Sequence, residues 1–487
     1  MRFSKDELKF LEHLEKIKLS IEPSFFSAVN TTLVANPYIS DYPKRFIFKE
    51  FIDRNLYWLF FKSSIKFYIK QFTLFFNYIV SHLLYKIFYK REDIDFKNSI
   101  LVDKFFLVDT IVREKRFNPR YFVGLYEVLD SLNRDYIFLV RLYGANRNPL
   151  KLIKFFNILS RDNRKFLFEF ELLKVYDFFK ILGLIIIYPF KTLRLSTRDR
   201  YFNIELIRDI EKQQFEAFSR YILGQKLAKL DIDRILSWSE FQVTERALNY
   251  GLRAKDGKTK IYGAQFYLSY SSYFNTFVSD IDYIHKTSPH TVLVNGKYYL
   301  LDRKEVEYRL GVSFRYRELF NRGVYKGGEN ILLLGSYLIE DTKYMIELLE
   351  GFESVIFKNH PAVDIRSLGD IKFKISQESI YNLFEDSKIV ITTASGTAVE
   401  AIACGVSVII IGSRKGLTSN PLDEYGKGVI WDMAYGREDI LRVYRNLLKM
   451  REEVDLTTYA RWYRENFFIN PNREAIEGVI NLLQKGE

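Results

Sequence analysis

Short apolar runs alternate with helix-like segments along the chain, and this alternation constrains the fold more than any other feature. In residues 99–288 the runs that predict strands are SILV at 99–102, YIFLVRL at 136–142, RILSW at 234–238 and KIYGA at 260–264. Residues 182–188 read as a buried strand or a helix end, and 201–230 as one long helix. Strands that alternate with helices indicate a parallel sheet covered on both faces.

A second series of the same kind occupies residues 329–487. Its predicted strands are NILLL at 330–334, SVIFK at 354–358, KIVIT at 388–392 and VSVIII at 406–411. Residues 289–328 separate the two series and read as an interdomain crossover, with Asn295-Gly296 as a tight hairpin turn. The sequence therefore predicts an α/β protein with two Rossmann-like domains facing across a cleft.

Residues 1–98 precede both series and read as an added helical region rich in aromatic residues. Within it, residues 71–88 are nearly long enough to span a membrane, but they contain Gln71, Asn77, His82 and Lys86. We favour helices packed on the fold. The second alternative is a basic amphipathic surface on an anionic membrane, and a spanning helix comes last.

The net charge and the N-terminal sequence indicate a class of partner and a cellular location, but they do not identify the partner. A net charge of +12 favours anionic partners of several kinds. The only cysteine, Cys404, allows no intrachain disulfide and no cysteine-rich zinc site. The N-terminus has no apolar core of a secretory signal, so we expect a cytoplasmic protein, with contact at the inner face of the cytoplasmic membrane as an option.

Ligands in open parallel sheets bind beyond the carboxyl ends of the strands, so the residues that follow each strand are the candidates for a site. In the second series these are Gly335 and Ser336 after NILLL, Lys358, His360 and Pro361 at the end of SVIFK, and Ser395, Gly396 and Thr397 after KIVIT, with Glu400 one turn into the next helix. A Ser-Gly-Thr turn at a helix start offers N–H and hydroxyl donors to a phosphate, although helix capping alone explains such a turn as well.

In the first series the corresponding residues are Glu240 and Gln242 after RILSW, Gln265 after KIYGA, and Asp103 after SILV. Glu240 is the candidate general base, and a carboxylate that complements a helix dipole is an equally good interpretation of it. We assign Gln242, Gln265 and Asp103 to acceptor binding, with Asp103 and Asp109 as second-choice bases.

The sequence lacks the motifs of several other classes of enzyme. The sequence contains no GxxxxGK[ST] and no HExxH run. Three Asp-x-Asp runs, which begin at Asp93, Asp231 and Asp280, lie in or beside predicted loops, where solvated turns explain them better than a metal site. We therefore expect no metal and no cofactor.

The runs FKNHPAVDI (357–365) and SIYNLFEDSKIVITTASGTAVEAIACGVSVIIIG (379–412) resemble the donor domain of bacterial GT-B capsule and lipopolysaccharide transferases, such as the sialyl-, polysialyl- and Kdo-transferases. In that group a His-Pro motif and a Ser-Ser/Thr motif hold the nucleotide phosphate. His360-Pro361 matches the first motif. Ser395-Gly396-Thr397 matches the second in position but carries an intervening glycine. Glu400 resembles the carboxylate that binds sugar or ribose hydroxyls.

A second resemblance is carried by ILSWSEFQVTERALNYGLR (235–253), KIYGAQF (260–266) and SPHTVLVNG (288–296). These segments are similar to surface carbohydrate (O-antigen) biosynthesis proteins, which share a Trp–Glu–Gln, a Gly–Gln and a Ser-Pro element in this order. Together the two resemblances cover roughly residues 234–435, and they are short motifs.

The resemblances imply a GT-B glycosyltransferase that moves a sugar from a nucleotide-sugar donor to a glycan or lipid-linked acceptor, by an inverting and metal-independent reaction, with no nucleic-acid partner. Two alternatives stay open. The first is a polyol-phosphate transferase of the teichoic-acid type, disfavoured because Trp238 lies in a Ser-Glu context where such enzymes have Trp-His-Gly. The second is a non-catalytic protein that binds membrane or nucleic acid through basic aromatic helices.

Overall fold

The computed structural model describes residues 3–50, 55–90, 94–118, 121–143, 148–255, 258–325, 327–393, 395–414 and 416–485 of the chain. Residues 144–146, a turn in the sequence pattern, and Asp93 lie outside the described residues.

Within the described residues, five helices precede the first strand. They are α1 (Lys5–Leu19), α2 (Phe25–Ala28), α3 (Thr31–Val34), α4 (Tyr42–Phe48) and α5 (Leu56–Phe88). Side chains of Ser4 and Asn55 cap the first and last of these by accepting backbone N–H groups. The α5 helix is 33 residues long and buries one face, including Phe67, against the first domain. Among the described residues, no helix combines the length and apolar character that crossing a bilayer requires.

The first sheet has seven parallel strands in the order β3-β2-β1-β4-β5-β6-β7. The strands are β1 (Ile100–Leu107), β2 (Tyr136–Tyr143), β3 (Phe166–Phe168), β4 (Arg234–Ser239), β5 (Lys260–Gln265), β6 (Thr291–Val294) and β7 (Glu307–Leu310). Its helices are α6 (Val108–Glu114), α7 (Leu125–Ser131), α8 (Pro149–Leu159), α9 (Glu169–Leu172), α10 (Val175–Leu193), α11 (Arg200–Arg208), α12 (Glu216–Leu227), α13 (Val243–Arg253), α14 (Asp280–Ile284) and α15 (Arg317–Phe320).

The second sheet has six parallel strands in the order β10-β9-β8-β11-β12-β13. The strands are β8 (Asn330–Leu334), β9 (Val355–Lys358), β10 (Lys374–Ile375), β11 (Ser387–Thr392), β12 (Ser407–Ile411) and β13 (Trp431–Ala434). Its helices are α16 (Ile339–Leu348), α17 (Ile380–Glu385), α18 (Thr397–Ala403), α19 (Arg437–Glu453), α20 (Thr457–Phe467) and α21 (Arg473–Lys485).

Counted within each domain, both sheets begin with the order 3-2-1-4-5-6, which defines a doubly wound Rossmann sheet. The loops after β5 and β11 touch each other, so the carboxyl ends of the two sheets face one another. The chain therefore has the predicted GT-B architecture, two Rossmann-like domains across a cleft with an added N-terminal helical region.

Several local predictions were wrong. The segment 289–328 is not a plain crossover, because it supplies β6 and β7 to the first sheet. Asn295-Gly296 is not a hairpin turn, since β6 and β7 run parallel. A Cβ at Gly296 would lie 2.4 Å from the Asn466 carbonyl oxygen, so the glycine permits a close approach to α20. Residues 182–188 lie in the middle of α10, because an apolar run of that length does not distinguish a strand from a buried helix.

The helical tail also crosses back between domains. Ile476, Val479, Ile480 and Leu483 of α21 belong to the apolar core of the first domain. Arg234 at the start of β4 donates to the Gln484 carbonyl oxygen at 2.9 Å. The C-terminal end of the 329–487 segment thus packs on the first sheet and ties the two domains together.

Candidate functional site

The candidate site lies where loops from the two sheets meet. A Cβ at Gly396, in the loop after β11, would lie 3.3 Å from the Leu268 Cβ, in the loop after β5. Ser272 donates from its hydroxyl to the Ser419 hydroxyl at 2.7 Å, which joins the same first-sheet loop to the loop after β12. These contacts form the base of the cleft.

His360 follows β9 at the carboxyl end of the second sheet. Its Nδ1 accepts the backbone N–H of Ala362 at 3.2 Å, so the neutral ring carries its proton on Nε2. Burial, aided by the positive charge of Arg315, lowers the pKa of His360. The ring of Tyr337 meets the imidazole edge-on, with centroids 5.8 Å apart. Pro361, which follows His360, is exposed. At neutral pH His360 is therefore uncharged and donates one N–H.

The loop that carries His360 is supported by three of the residues assigned to donor binding, namely Gly335, Ser336 and Lys358. A Cβ at Gly335 would lie 3.1 Å from the His360 backbone nitrogen, so any larger residue there would push the histidine loop outward. Ser336 is buried and accepts the Leu338 N–H at 3.1 Å. Lys358 donates to the Glu378 carbonyl oxygen at 2.6 Å.

The loop Ser395–Thr397 does not cap α18 with a side chain, because the N-cap position is occupied by Gly396. The Ser395 hydroxyl accepts the Thr397 N–H at 3.3 Å, and Gly396 directly precedes α18, which has only seven residues. Two buried polar atoms nearby, the Thr393 hydroxyl and the Asn359 side-chain oxygen, have no hydrogen-bond partner within the described residues. Unpartnered buried groups at strand ends need an explanation, and a bound ligand is one.

Glu400 lies in α18, close enough to Arg315 for the charge of each to act on the other. Glu400 accepts the Tyr381 hydroxyl at 2.6 Å. Burial raises the pKa of Glu400, while the Tyr381 bond and the charge of Arg315 oppose that rise. Arg315 lies on the 3-10 turn Phe314–Tyr316, with an exposed side chain whose guanidinium is 5.5 Å from the Tyr267 ring centroid. Sequence reasoning missed Arg315, because a lone arginine in a connecting segment carries no signal.

Glu240 follows β4 and is half-buried on the opposite wall. Burial, and then the negative charge of Glu245, raise the pKa of Glu240 to about 7, against the opposing effects of the Tyr267 hydroxyl and the positive charge of Arg141. Asn275 donates to the Glu240 carbonyl oxygen at 2.9 Å and fixes the backbone there. A carboxylate with this pKa can take up and release a proton near neutral pH.

The other residues assigned to acceptor binding have partners within the chain. The Gln242 side chain accepts from Asn36 at 3.1 Å, and Gln265 accepts the Asn295 N–H at 3.2 Å. Each is 9% exposed, so both side chains act mainly as structural links.

The structure contradicts the assignment of Asp103 to acceptor binding or to the role of a base. Its carboxylate has no exposed surface and pairs with Arg141 and Arg220, with Ser237 donating at 2.9 Å. The two arginines overcome the effect of burial and hold the pKa of Asp103 at about 2. A fully buried carboxylate cannot contact an acceptor, and Asp109 is instead an exposed partner of Lys151.

The N-terminal helical region contributes a wall that the sequence did not indicate. Tyr38 lies between the domains, and its hydroxyl is 3.0 Å from that of Tyr270. Its ring meets those of Tyr273 and Tyr337 edge-on, at 5.5 and 6.0 Å. Since Tyr337 also contacts His360, an aromatic series connects the first domain to the histidine loop.

In the described ranges, no three His, Cys, Asp or Glu side chains are placed to hold a metal ion. Of the Asp-x-Asp runs, Asp280 accepts backbone N–H groups of residues 304–306. Asp282 is not in a solvated turn as predicted. It is buried and pairs with Lys18 of α1 and Arg246 of α13, which fastens the N-terminal helix to the first domain.

No family model matches the sequence, and no curated protein shows significant similarity to it. Among solved structures, a putative UDP-N-acetylglucosamine 2-epimerase from Listeria monocytogenes is similar, with 11% identity, 80% of this chain and 96% of that chain covered, and a TM-score of 0.44. The glycosyltransferase SnogD from Streptomyces nogalater has 11% identity, coverages of 80% and 99% and a TM-score of 0.38. The wall teichoic acid polymerase TagF has 12% identity, coverages of 88% and 97% and a TM-score of 0.39. At this distance the similarities carry no function, and the fold assignment rests on the strand order itself.

Proposed function

We propose that the chain is a glycosyltransferase that moves a sugar from a nucleotide-sugar donor to an acceptor hydroxyl. The observation that carries this proposal is the position of Arg315. It stands over Tyr267 on the first-sheet wall, and its charge acts on both His360 and Glu400 of the second sheet. One cation thus faces the groups that would hold the donor and those that would hold the acceptor.

The second-sheet wall suits a nucleotide phosphate. Arg315 supplies a permanent charge with a planar set of donors, and the Nε2–H of His360 and the hydroxyls of Ser395 and Thr397 add neutral donors. The unpartnered Thr393 hydroxyl gives a further donor or acceptor. Glu400 would accept sugar or ribose hydroxyls. The loop donors and Arg315, more than the short α18 helix, support phosphate binding.

The first-sheet wall suits an acceptor hydroxyl. Glu240, with a pKa of about 7, would take the proton from that hydroxyl. The acceptor oxygen would then form a bond to the anomeric carbon as the bond from that carbon to the nucleotide oxygen breaks. The leaving phosphate would gain negative charge beside Arg315 and the His360 N–H. Displacement from the opposite face inverts the anomeric centre. In this scheme Arg315 and His360 stabilise the charge of the leaving phosphate, which is the role that a metal ion has in metal-dependent transferases.

The resemblances in the sequence favour a surface glycan as the product, lipopolysaccharide O-antigen or capsule, built on a lipid-linked acceptor at the inner face of the cytoplasmic membrane. Polyol-phosphate transfer of the teichoic-acid type is the competing reaction. The two differ in the fate of phosphorus, since glycosyl transfer leaves all phosphorus on the nucleotide, whereas polyol-phosphate transfer forms a phosphodiester on the acceptor.

The test is calorimetric titration of the purified protein with UDP, GDP, CMP, CDP and dTDP, followed by transfer assays with the matching donor labelled in its phosphate. We expect one nucleotide to bind the wild type, Arg315→Ala and His360→Ala to bind it about tenfold or more weakly, and Arg317→Ala, an exposed arginine two residues away, to bind it like the wild type. If the phosphate label appears on the acceptor, the reaction is polyol-phosphate transfer and not glycosyl transfer. A folded protein that binds none of the nucleotides would overturn the proposal.

A further inference from the structure

The long helix α5 has apolar side chains on two opposite faces. One face packs in the core through residues such as Phe67, Phe75 and Tyr78. The other, at helical spacing, points into solvent and includes Trp58, Phe61, Ile65, Ile69, Phe76 and Ile87. At 1.5 Å per residue this outer stripe is about 44 Å long. A core-facing helix needs only the first of these faces.

Helix α10 extends the same surface. It runs antiparallel to α5, as shown by the ring contacts of Phe60 with Phe190 and of Tyr78 with Phe178, at 6.0 and 5.8 Å. The Tyr68 hydroxyl donates to the Ile186 carbonyl oxygen at 2.7 Å and joins the helices midway. The outer side of α10 exposes Val175, Phe179, Ile186, Ile187 and Phe190.

More than half of the large apolar side chains that are exposed in the described part of the chain lie on these two helices. Exposed apolar side chains that occur singly need no explanation, but a contiguous surface of this extent marks an interaction site. Ile69 and Phe179 are 66% and 70% exposed, which leaves most of each side chain in water. We call this surface, formed by the outer sides of α5 and α10, the α5–α10 face.

Most of the charges on and beside the α5–α10 face are positive. Helix α5 contains Lys62, Lys66, Lys70 and Lys86 and no acidic residue. Lys66 pairs with Glu211 at 2.8 Å and Lys70 donates to the Gln213 carbonyl oxygen at 2.9 Å, which leaves Lys62 and Lys86 as the lysines of α5 that can meet phosphates. The only acidic residue of α10, Asp177, is buried and pairs with Lys226 at 2.6 Å. A groove of about 610 Å³ adjoins α10 on the side of α12 and is lined by Lys180, Lys226, Lys229 and Lys255 together with apolar side chains.

We propose that the α5–α10 face docks on the surface of an anionic phospholipid bilayer, with its apolar side chains at the level of the acyl chains and its lysines at the phosphates. A second copy of the chain fits less well, because it would bring the lysines of the two faces together, and neither α5 nor α10 exposes an acidic residue to meet them. The exposed Tyr57 and Trp58 at one end of α5 have the amphipathic rings that suit the membrane interface. Penetration is limited to one face, because the opposite side of each helix is committed to the core.

The inference is independent of the proposed reaction, and its test uses the full chain and no nucleotide. The protein is sedimented with vesicles of phosphatidylcholine alone or mixed with phosphatidylglycerol, and Trp58 fluorescence is followed on mixing. We expect binding to the mixed vesicles only, with a blue shift that Trp58→Phe abolishes. Higher salt should weaken the binding, because the lysine contribution is screened.

Two sets of variants divide the apolar and charge contributions. Combining Ile65→Ser, Ile69→Ser, Phe76→Ser and Phe179→Ser should abolish vesicle binding, whereas Leu19→Ser with Ile375→Ser, equally exposed but elsewhere, should leave it unchanged. Combining Lys62→Glu and Lys180→Glu should weaken it by at least about fivefold per lysine. Lys372→Glu with Lys449→Glu changes the net charge equally at exposed sites off the face and should have little effect.

All the altered side chains are exposed, so the variants should fold, and unchanged circular dichroism and thermal midpoints would verify this. Equal binding of the wild type and the apolar variant to mixed vesicles would overturn the proposal. So would the absence of binding together with a dimer in solution that the apolar variant dissociates, which would assign the face to a second copy.

Discussion

The guanidinium of Arg315 lies 5.5 Å from the centroid of the Tyr267 ring, which places a cation from the connection between the domains over the wall that also holds Glu240. The Tyr267 hydroxyl lowers the pKa of Glu240 against the effect of burial, so Arg315, Tyr267 and Glu240 form one series across the first-sheet side of the cleft. The predictions below follow from this arrangement and from the ion pairs beneath it.

Arg315→Ala should weaken binding of the nucleotide by about ten- to a hundredfold, the value of a hydrogen-bonded charge on a phosphate. Arg315→Lys should recover only part of the affinity, because an ammonium group cannot reproduce the planar fork of a guanidinium. Titration calorimetry measures both effects. Equal affinities for the wild type and Arg315→Ala would remove Arg315 from the site.

Glu240→Gln should reduce kcat by about a hundredfold or more while leaving nucleotide affinity unchanged, because the amide cannot accept the acceptor's proton. The base works when ionised, so the wild-type rate should fall as the pH drops below about 7, the pKa of Glu240. Steady-state kinetics across pH measures both. A rate that is flat from pH 5 to pH 8, roughly the span over which such a group titrates, would contradict the assignment.

Tyr267→Phe provides a matched test of the same group. The Tyr267 hydroxyl lowers the pKa of Glu240, so its removal should raise that pKa further and move the rising limb of the pH profile to higher pH. A purely structural role for Tyr267 would lower the rate at every pH without moving the limb.

Asp103→Ala should destabilise the protein by about 3–5 kcal/mol, because it leaves Arg141 and Arg220 charged and buried with their shared partner removed. Asp109→Ala removes only an exposed partner of Lys151 and should change stability by less than about 1 kcal/mol. Urea unfolding of both variants measures the difference.

The same carboxylate gives a pH dependence of stability. The pKa of Asp103 is about 2 in the folded chain and 3.8 in the reference state. Its contribution is therefore complete above pH 3.8 and is lost as the pH falls toward 2. The stability gap between the wild type and Asp103→Ala should narrow over that window, and a gap that stays constant would contradict the pairing.

Gly335→Ala should displace the His360 loop, because the added Cβ would lie 3.1 Å from the His360 backbone nitrogen. We expect weaker nucleotide binding with a modest loss of stability, about 1–3 kcal/mol for an overpacked site. Gly478→Ala, in α21 with open space around the new Cβ, is the control and should be neutral or slightly stabilising. Calorimetry and thermal unfolding measure the two effects.

Much of the fold follows from local patterns. The strands β1, β2, β4 and β5 and the strands β8, β9, β11 and β12 fall on the apolar runs, because buried parallel strands require continuous apolar sequence. The short strands β3, β6, β7, β10 and β13 were not predicted. Two to four residues carry too little pattern, and the pairing partner decides whether they are strands.

Some residues of the candidate site could likewise be predicted from the local sequence, and others could not. His360, Glu400 and Glu240 could be named from the sequence because each follows a recognisable strand. Asp103 met the same criterion and is nevertheless buried, because Arg141 and Arg220 reach it from β2 and α12, far along the chain. Arg315 and Tyr38 carry no local signal, and only the approach of the two domains places them in the cleft.

Local apolar periodicity is enough to predict the two parallel sheets and the polar residues at their strand ends, because strand formation and chain order depend on that periodicity. Which of those polar residues remain open to a ligand, and the second apolar face that α5 exposes, became evident only in the folded chain. Burial and ion pairing depend on contacts between residues far apart in the chain, and no local pattern specifies them.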